Sequence, residues 1–202
     1  MNFNEIAETW DTERRINRAK EISNFIKSRV TINKDMTMLE FGCGTGLITF
    51  NFVDDVTKII GYDNSEKMLE VFNEKIIKLK TTNVYSTSDL QSQNNQINLV
   101  ISSMVFHHII DINTSLKEIF DVLKSNGDLF IVDLDLEDGS FHRIETEFYG
   151  HNGFDREKFK SYLIESGFAI MDCGTVLNDV KNVNGIDIPY SLFYVHGRKR
   201  KV

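Results

Sequence analysis

The chain has one proline, one tryptophan and two cysteines in 202 residues. A single proline, Pro189, leaves few rigid turns. Two cysteines, Cys43 and Cys173, are too few for a disulfide framework. Cys43 lies inside a glycine-rich loop, where a bridge would obstruct a ligand. Both are therefore expected as reduced thiols in a cytoplasmic protein. Basic charge is in deficit, with 23 Lys and Arg against 30 Asp and Glu and a net charge of −7. That argues against non-specific nucleic-acid binding, which needs a basic surface. The basic run Arg198-Lys199-Arg200-Lys201 reads as a solvated chain end. No apolar run approaches membrane-spanning length. Met1 to Arg15 lacks the apolar centre of a signal peptide. There is no internal repeat and no linker, so one domain over residues 1–202 is expected.

What is present is an alternation of apolar strands and amphipathic helices. The first segment is helical, with Ile6, Trp10, Ala19, Ile22 and Ile26 on one face. Strands are predicted at Thr37–Phe41, Lys58–Tyr62, Asn83–Ser86, Leu99–Ser103, Gly127–Leu134, Phe168–Cys173 and Leu192–Val195. Helices are predicted at Leu47–Val53, Ser65–Lys80, Asn113–Leu123 and Arg156–Ser166, with Ser65 and Asp155 as caps. This pattern predicts an α/β fold. It would be Rossmann-like and doubly wound, with a mostly parallel seven-stranded sheet and an N-terminal helix.

The most informative stretch is Leu39-Glu40-Phe41-Gly42-Cys43-Gly44-Thr45-Gly46. A strand, a glycine loop and a helix N-terminus make a nucleotide-cofactor site. The dinucleotide fingerprint needs a third glycine at position 47, which is Leu47. The third glycine is Gly46 instead, and Glu40 precedes the loop. A pyrophosphate would be repelled by that carboxylate, whereas a cation would not. Asp63 ends the second strand about twenty residues on, where an acidic residue can accept hydrogen bonds from ribose hydroxyls. Helix capping is the alternative role. Met68, one turn into the next helix, would pack either on adenine or in the core.

These residues resemble the first motif of class I S-adenosylmethionine-dependent methyltransferases. The resemblance, to the small single-domain bacterial type, covers about residues 5 to 197. It implies a cofactor site of Trp10, Glu40, Gly42, Cys43, Gly44, Thr45, Gly46, Asp63, Asn64, Met68, Ser88, Asp89, Leu90, Ser103 and Met104. In the family an Asp after the third strand commonly meets the adenine amino group. Asp89, in Ser86-Thr87-Ser88-Asp89-Leu90, matches that place, with a surface turn as the alternative. Ile97 to Ile109 resembles the fourth-strand segment, where a His pair follows a small polar residue. Asn98 departs from the usual Asp, and Lys124-Ser125-Asn126-Gly127 departs from the usual Lys-Pro-Gly-Gly. Trp10 would close over the cofactor, with Arg14 or Arg15 nearby, or else sit in the core.

His107 and His108 fall at the strand edge that holds ligands in open α/β sheets. His107 is a candidate base for an acceptor proton, and His151, in Gly150-His151-Asn152-Gly153-Phe154-Asp155, is a second. A structural, backbone-bonded histidine is the alternative for each. Glu137 to Gly153 is a long connection, a common place for substrate contacts. Asp133, Asp135, Glu137 and Asp138 could suggest magnesium, but a solvated strand end is preferred and no metal is expected. A metal site from His107, His108 and His151 is disfavoured because no carboxylate sits at helical spacing beside them. The acceptor is expected to be a small molecule, and monomer or homodimer stays open. An NAD-linked oxidoreductase and a non-catalytic binding module are the rival readings.

Overall fold

The structure, a computed structural model, describes residues 2–143 and 148–200. Strands β1 (Thr37–Phe41), β2 (Lys58–Tyr62), β3 (Val84–Thr87), β4 (Ile97–Ser103), β5 (Leu123–Leu134), β6 (Phe168–Val183) and β7 (Ile186–Lys199) form one sheet. Its order is β3-β2-β1-β4-β5-β7-β6. The first five are parallel; β7 runs antiparallel to both β5 and β6. The helices are α1 (Phe3–Ile6), α2 (Glu13–Arg29), α3 (Glu66–Leu79), α4 (Ile112–Val122) and α5 (Arg156–Glu165). This is the Rossmann-like, mostly parallel seven-stranded sheet that the alternation predicts.

Strand residues alternate between two cores, as the pleat requires. Met38, Ile59, Ile101 and Phe130 face Ile22 and Ile26 of α2 and Phe72 of α3. Their neighbours Leu39, Ile60, Val100 and Ile131 face Leu116 and Ile119 of α4 and Phe159 and Leu163 of α5. The strand order reverses between β1 and β4, so a crevice opens at their C-terminal ends. Ser65 and Asp155 cap α3 and α5 as expected, accepting from Met68 N and Lys158 N. Both cysteines are free thiols. Among the described residues no helix is long and apolar enough to cross a membrane.

Four expectations are corrected. The leading helix is broken: α1 gives way to a single turn at Ala7–Thr9, and α2 restarts behind Thr12, whose hydroxyl accepts from Arg15 N at 3.3 Å. The predicted helix Leu47–Val53 is only a 3₁₀ turn at Thr49–Asn51. Side chains take the backbone groups a helix would have used. Glu40 binds Thr49 N, Asn51 Nδ2 donates to Leu47 O, and Lys27 Nζ donates to Asn51 O.

The last two predicted strands are far longer, forming a hairpin turned by Asn184-Gly185 with φ of +51° and +83°. Both residues take the left-handed conformation that the tightest hairpin turn demands. Finally, the basic tail is not simply solvated. Arg198 forks onto Asp128 at 2.8 and 3.1 Å. Lys199 is buried, and its Nζ donates to Phe120 O, Leu123 O and Asn95 Oδ1.

Lys199→Ala leaves those carbonyls without their donor and is expected to cost about 1–3 kcal/mol of stability. Arg200→Ala, at an exposed position, should change little. Urea unfolding of both variants measures the difference; equal midpoints would return Lys199 to the solvated end.

Candidate functional site

A cavity of about 500 Å³ occupies the crevice at the ends of β1, β2 and β4. That volume is in the range of small-molecule and cofactor sites. Its wall includes Glu40, Gly42, Cys43, Gly44, Asp63, Asn64, Met68, Ser103 and Met104. The N-terminal segment closes it with Phe3 and Trp10, whose rings meet edge to face at 5.7 Å.

The glycine loop is tied to the neighbouring strand. Gly42 N and Cys43 N both donate to Tyr62 O, at 2.8 and 2.9 Å. Asp63 Oδ2 accepts from Gly44 N and Oδ1 from Ser65 N, each at 2.8 Å. Gly44 has φ of +51°, and a Cβ there would meet nothing nearer than Met68 Sδ at 3.9 Å and Trp10 Nε1 at 4.0 Å. Its open side therefore faces the cavity. Gly46 differs: a Cβ would strike Phe50 at 2.6 Å and Phe72 at 2.8 Å. Gly46 permits close packing rather than ligand approach. Thr45 is buried, and its hydroxyl donates to Asp11 Oδ1 at 2.6 Å. Lys75 Nζ bridges Asp11 Oδ2 and Thr45 O, so the N-terminal segment is latched to the loop.

Charge at this end is acidic. Glu40 is buried, accepting from Thr49 N at 2.8 Å and from the Thr49 hydroxyl. Burial pushes its carboxyl up to about 8, against the Thr49 hydrogen bonds. Asp63 is also raised, by burial, against the backbone amides it accepts. Asp89 is exposed and lies outside the cavity wall; its Oδ1 accepts from Gln91 N at 3.1 Å, which is the turn role. Ser88 is exposed and Leu90 is buried in the core below α4. Arg14 turns away to Asp179, whereas Arg15 and Arg18 line the wall. Arg15 also lies 3.9 Å over the Trp10 ring.

The other end of the site is built on Asp133. This fully buried carboxylate of β5 accepts from Phe106 N at 2.8 Å and Leu134 N at 2.7 Å. Its Oδ1 lies 2.5 Å from His107 Nδ1. His107 is itself buried, and His108 lines the cavity. Burial, then repulsion from His107 and His142, lowers His108 to about 2 and keeps its ring neutral. His151 does not line the cavity: its Nε2 bonds Ile109 O at 2.9 Å, a structural contact.

The four carboxylates considered for magnesium are committed separately. Asp133 holds His107 and Asp135 holds Arg156. Glu137 accepts from Phe141 N and Asp138 from Ser140 N. Asn98 binds Thr37 N and Lys124 away from the cavity. Sequence reasoning missed Phe3, Arg18, Tyr62 and Glu118 in the wall. It also missed Asp133 as the partner of His107, because the two meet only across β4 and β5.

Comparison with known proteins shows what the chain is similar to. Residues 39–131 match the methyltransferase domain family model. An uncharacterized methyltransferase of Schizosaccharomyces pombe is 32% identical over 151 residues, covering 66% of this chain and 51% of its own length. A ubiquinone biosynthesis O-methyltransferase of Pelagibacter ubique is 29% identical over 103 residues, covering 50% of this chain and 43% of its own. The chain thus spans about half the length of these curated relatives. The fold matches phosphoethanolamine N-methyltransferase 2 of Haemonchus contortus, solved with S-adenosylhomocysteine. The TM-score is 0.72 at 16% identity, over 90% of this chain and 52% of that one. By matched domain and by fold the chain is similar to methyltransferases.

Glu40 gives a pH test. Its folded-state value, about 8, lies above the ordinary 4.5. The folded state therefore holds the proton more tightly, and this contribution to stability is full below about pH 4.5 and lost as pH rises through about 8. The ligand-free melting temperature should fall across that window, and Glu40→Gln should flatten the slope. Parallel pH profiles of the two proteins would show that Glu40 titrates normally.

Proposed function

We propose that the protein transfers the methyl group of S-adenosylmethionine to a small-molecule acceptor. One observation carries the reading: an acidic, covered cavity at the glycine loop ends beside a buried Asp–His pair. The residues fit the cofactor. Gly44 leaves open space where a Cβ would project, Asp63 retains acceptor capacity for ribose hydroxyls, and Glu40 suits an ammonium group. Arg15 and Arg18 supply positive charge for a carboxylate. The first turn after the loop is too short to offer a helix dipole, so a phosphate gains little there.

The cofactor, when bound, supplies an electrophilic methyl on a sulfonium. The chain's residues bind, orient and exclude water. Gly42, Cys43 and Gly44 form the floor, and Met68, Trp10 and Phe3 cover the apolar part. Ser103 and Met104, at the end of β4, flank the route to the acceptor. Asp133 orients His107, whose free Nε2 is the group available to handle an acceptor proton. On this reading residues 1–202 act as one cytoplasmic domain, and His151 has no catalytic part. Fold alone does not establish turnover, so a binding module remains the second reading.

Incubation with S-adenosylmethionine and pools of small hydroxyl, thiol and amine compounds should release S-adenosylhomocysteine. Asp63→Ala should weaken S-adenosylhomocysteine affinity in calorimetry by about 1–3 kcal/mol. Tight NAD binding with no S-adenosylmethionine binding would sink the reading. Cofactor binding with no product from any pool would favour the binding module.

A further inference from the structure

The acceptor end holds a cluster that the cofactor does not explain. The rings of His107, His108 and His142 lie with centroids 4.1, 5.1 and 5.4 Å apart. One nitrogen from each lies within 4.8 Å of the other two. A tetrahedral ion with metal–nitrogen bonds of about 2.0–2.1 Å puts its imidazole centroids about 5 Å apart and its nitrogens about 3.3 Å apart. The observed triangle reaches that geometry with side-chain shifts on the order of an ångström.

The surroundings match a built site. Metal-bound histidines characteristically donate their second ring nitrogen to a carboxylate. Asp133 meets His107 Nδ1 at 2.5 Å, which leaves Nε2 as the lone-pair donor. Asp133 is itself fixed by the amides of Phe106 and Leu134. Phe148 stacks on His142 at 3.8 Å with planes 5° apart. A Cβ on Gly150 would lie 2.1 Å from His107 O, and His151 N donates to that carbonyl at 2.7 Å. The connection after β5 is therefore pressed onto the His107 backbone. Three imidazole nitrogens suit zinc, copper, iron or nickel, and not magnesium or calcium.

We propose that His107, His108 and His142 bind one divalent transition-metal ion, zinc for preference, with a fourth position open beside the cavity that His108 lines. Three protein ligands plus an open position is the pattern of catalytic rather than structural zinc. The proposal stands independently of methyl transfer, since it concerns metal binding.

The test uses untagged protein, because an oligohistidine tag binds metal itself. After equilibration with zinc sulfate and desalting, mass-spectrometric metal analysis should find about one zinc per chain. His108→Ala and His142→Ala should each lose at least about four-fifths of it, while His151→Ala keeps it. Should those variants fail to fold, cobalt(II) added to the unaltered protein decides: intense visible bands of four-coordinate cobalt support the site. Fewer than about one zinc in ten chains, full retention in both variants, or only the weak bands of six-coordinate cobalt would overturn it and leave His107 Nε2 as a proton acceptor. S-adenosylhomocysteine affinity, measured beside it, separates loss of the metal from failure of the cofactor reading.

Discussion

The ligand-facing edge of this sheet depends on buried and half-buried carboxylates that are satisfied by backbone amides. Glu40 reaches Thr49 N, Asp63 reaches Gly44 N and Ser65 N, and Asp133 reaches Phe106 N and Leu134 N. Each lies at or near the C-terminal end of a parallel strand, and every donor but Leu134 N, the last residue of β5, lies beyond a strand end. A buried carboxylate is costly unless its oxygens find donors. Here the requirement is met by chain segments that would otherwise be irregular. The same bonds that make the carboxylates tolerable give the loops their shape.

This solution has an electrostatic consequence. Amide donors satisfy a carboxylate without cancelling its charge as a salt bridge would. Burial raises the Glu40 carboxyl to about 8 and Asp63 adds to the rise, while the Thr49 hydrogen bonds and the charge of Lys75 oppose it. A ligand bearing an ammonium or sulfonium would favour the ionised forms of Glu40 and Asp63, and one bearing a pyrophosphate would favour their protonated forms. The shortness of the turn at Thr49–Asn51 acts in the same direction, since aligned helix peptides would have offered positive potential to phosphate.

Legibility from the sequence follows how local each signal is. Strand β1, its glycines and Asp63 fall between residues 37 and 63, and their spacing carried the reading. The two-core alternation was equally legible, because pleat and helix periods are properties of short windows. The hairpin was cut short although Asn184-Gly185 marks its turn. Its flanks, such as Asp172 to Asn182, place Cys173, Val176, Leu177 and Val180 without a period of two and bury little beyond Leu177, so periodicity was silent. Lys199 was misread because burial of a lysine depends on carbonyls of Phe120 and Leu123, which no neighbouring residue announces. Asp89 was ambiguous for the opposite reason: its local pattern fits both a turn and a ligand, and the structure shows it exposed with Gln91 N bonded to its Oδ1.

The acceptor end was the least legible because its residues meet only through the fold. Asp133 belongs to β5, His107 and His108 to the turn after β4, and His142 to the connection beyond β5. No carboxylate lies at helical spacing beside the histidines, because the one that meets His107 comes from the adjacent parallel strand β5. Register carries it there, since Ser103 pairs with Val132 and thus sets Asp133 under the turn at Phe106–His108. A carboxylate one residue earlier on β5 would point to the opposite face. The chemistry at this end therefore rests on the β4–β5 register, whereas the chemistry at the glycine end rests on a contiguous motif.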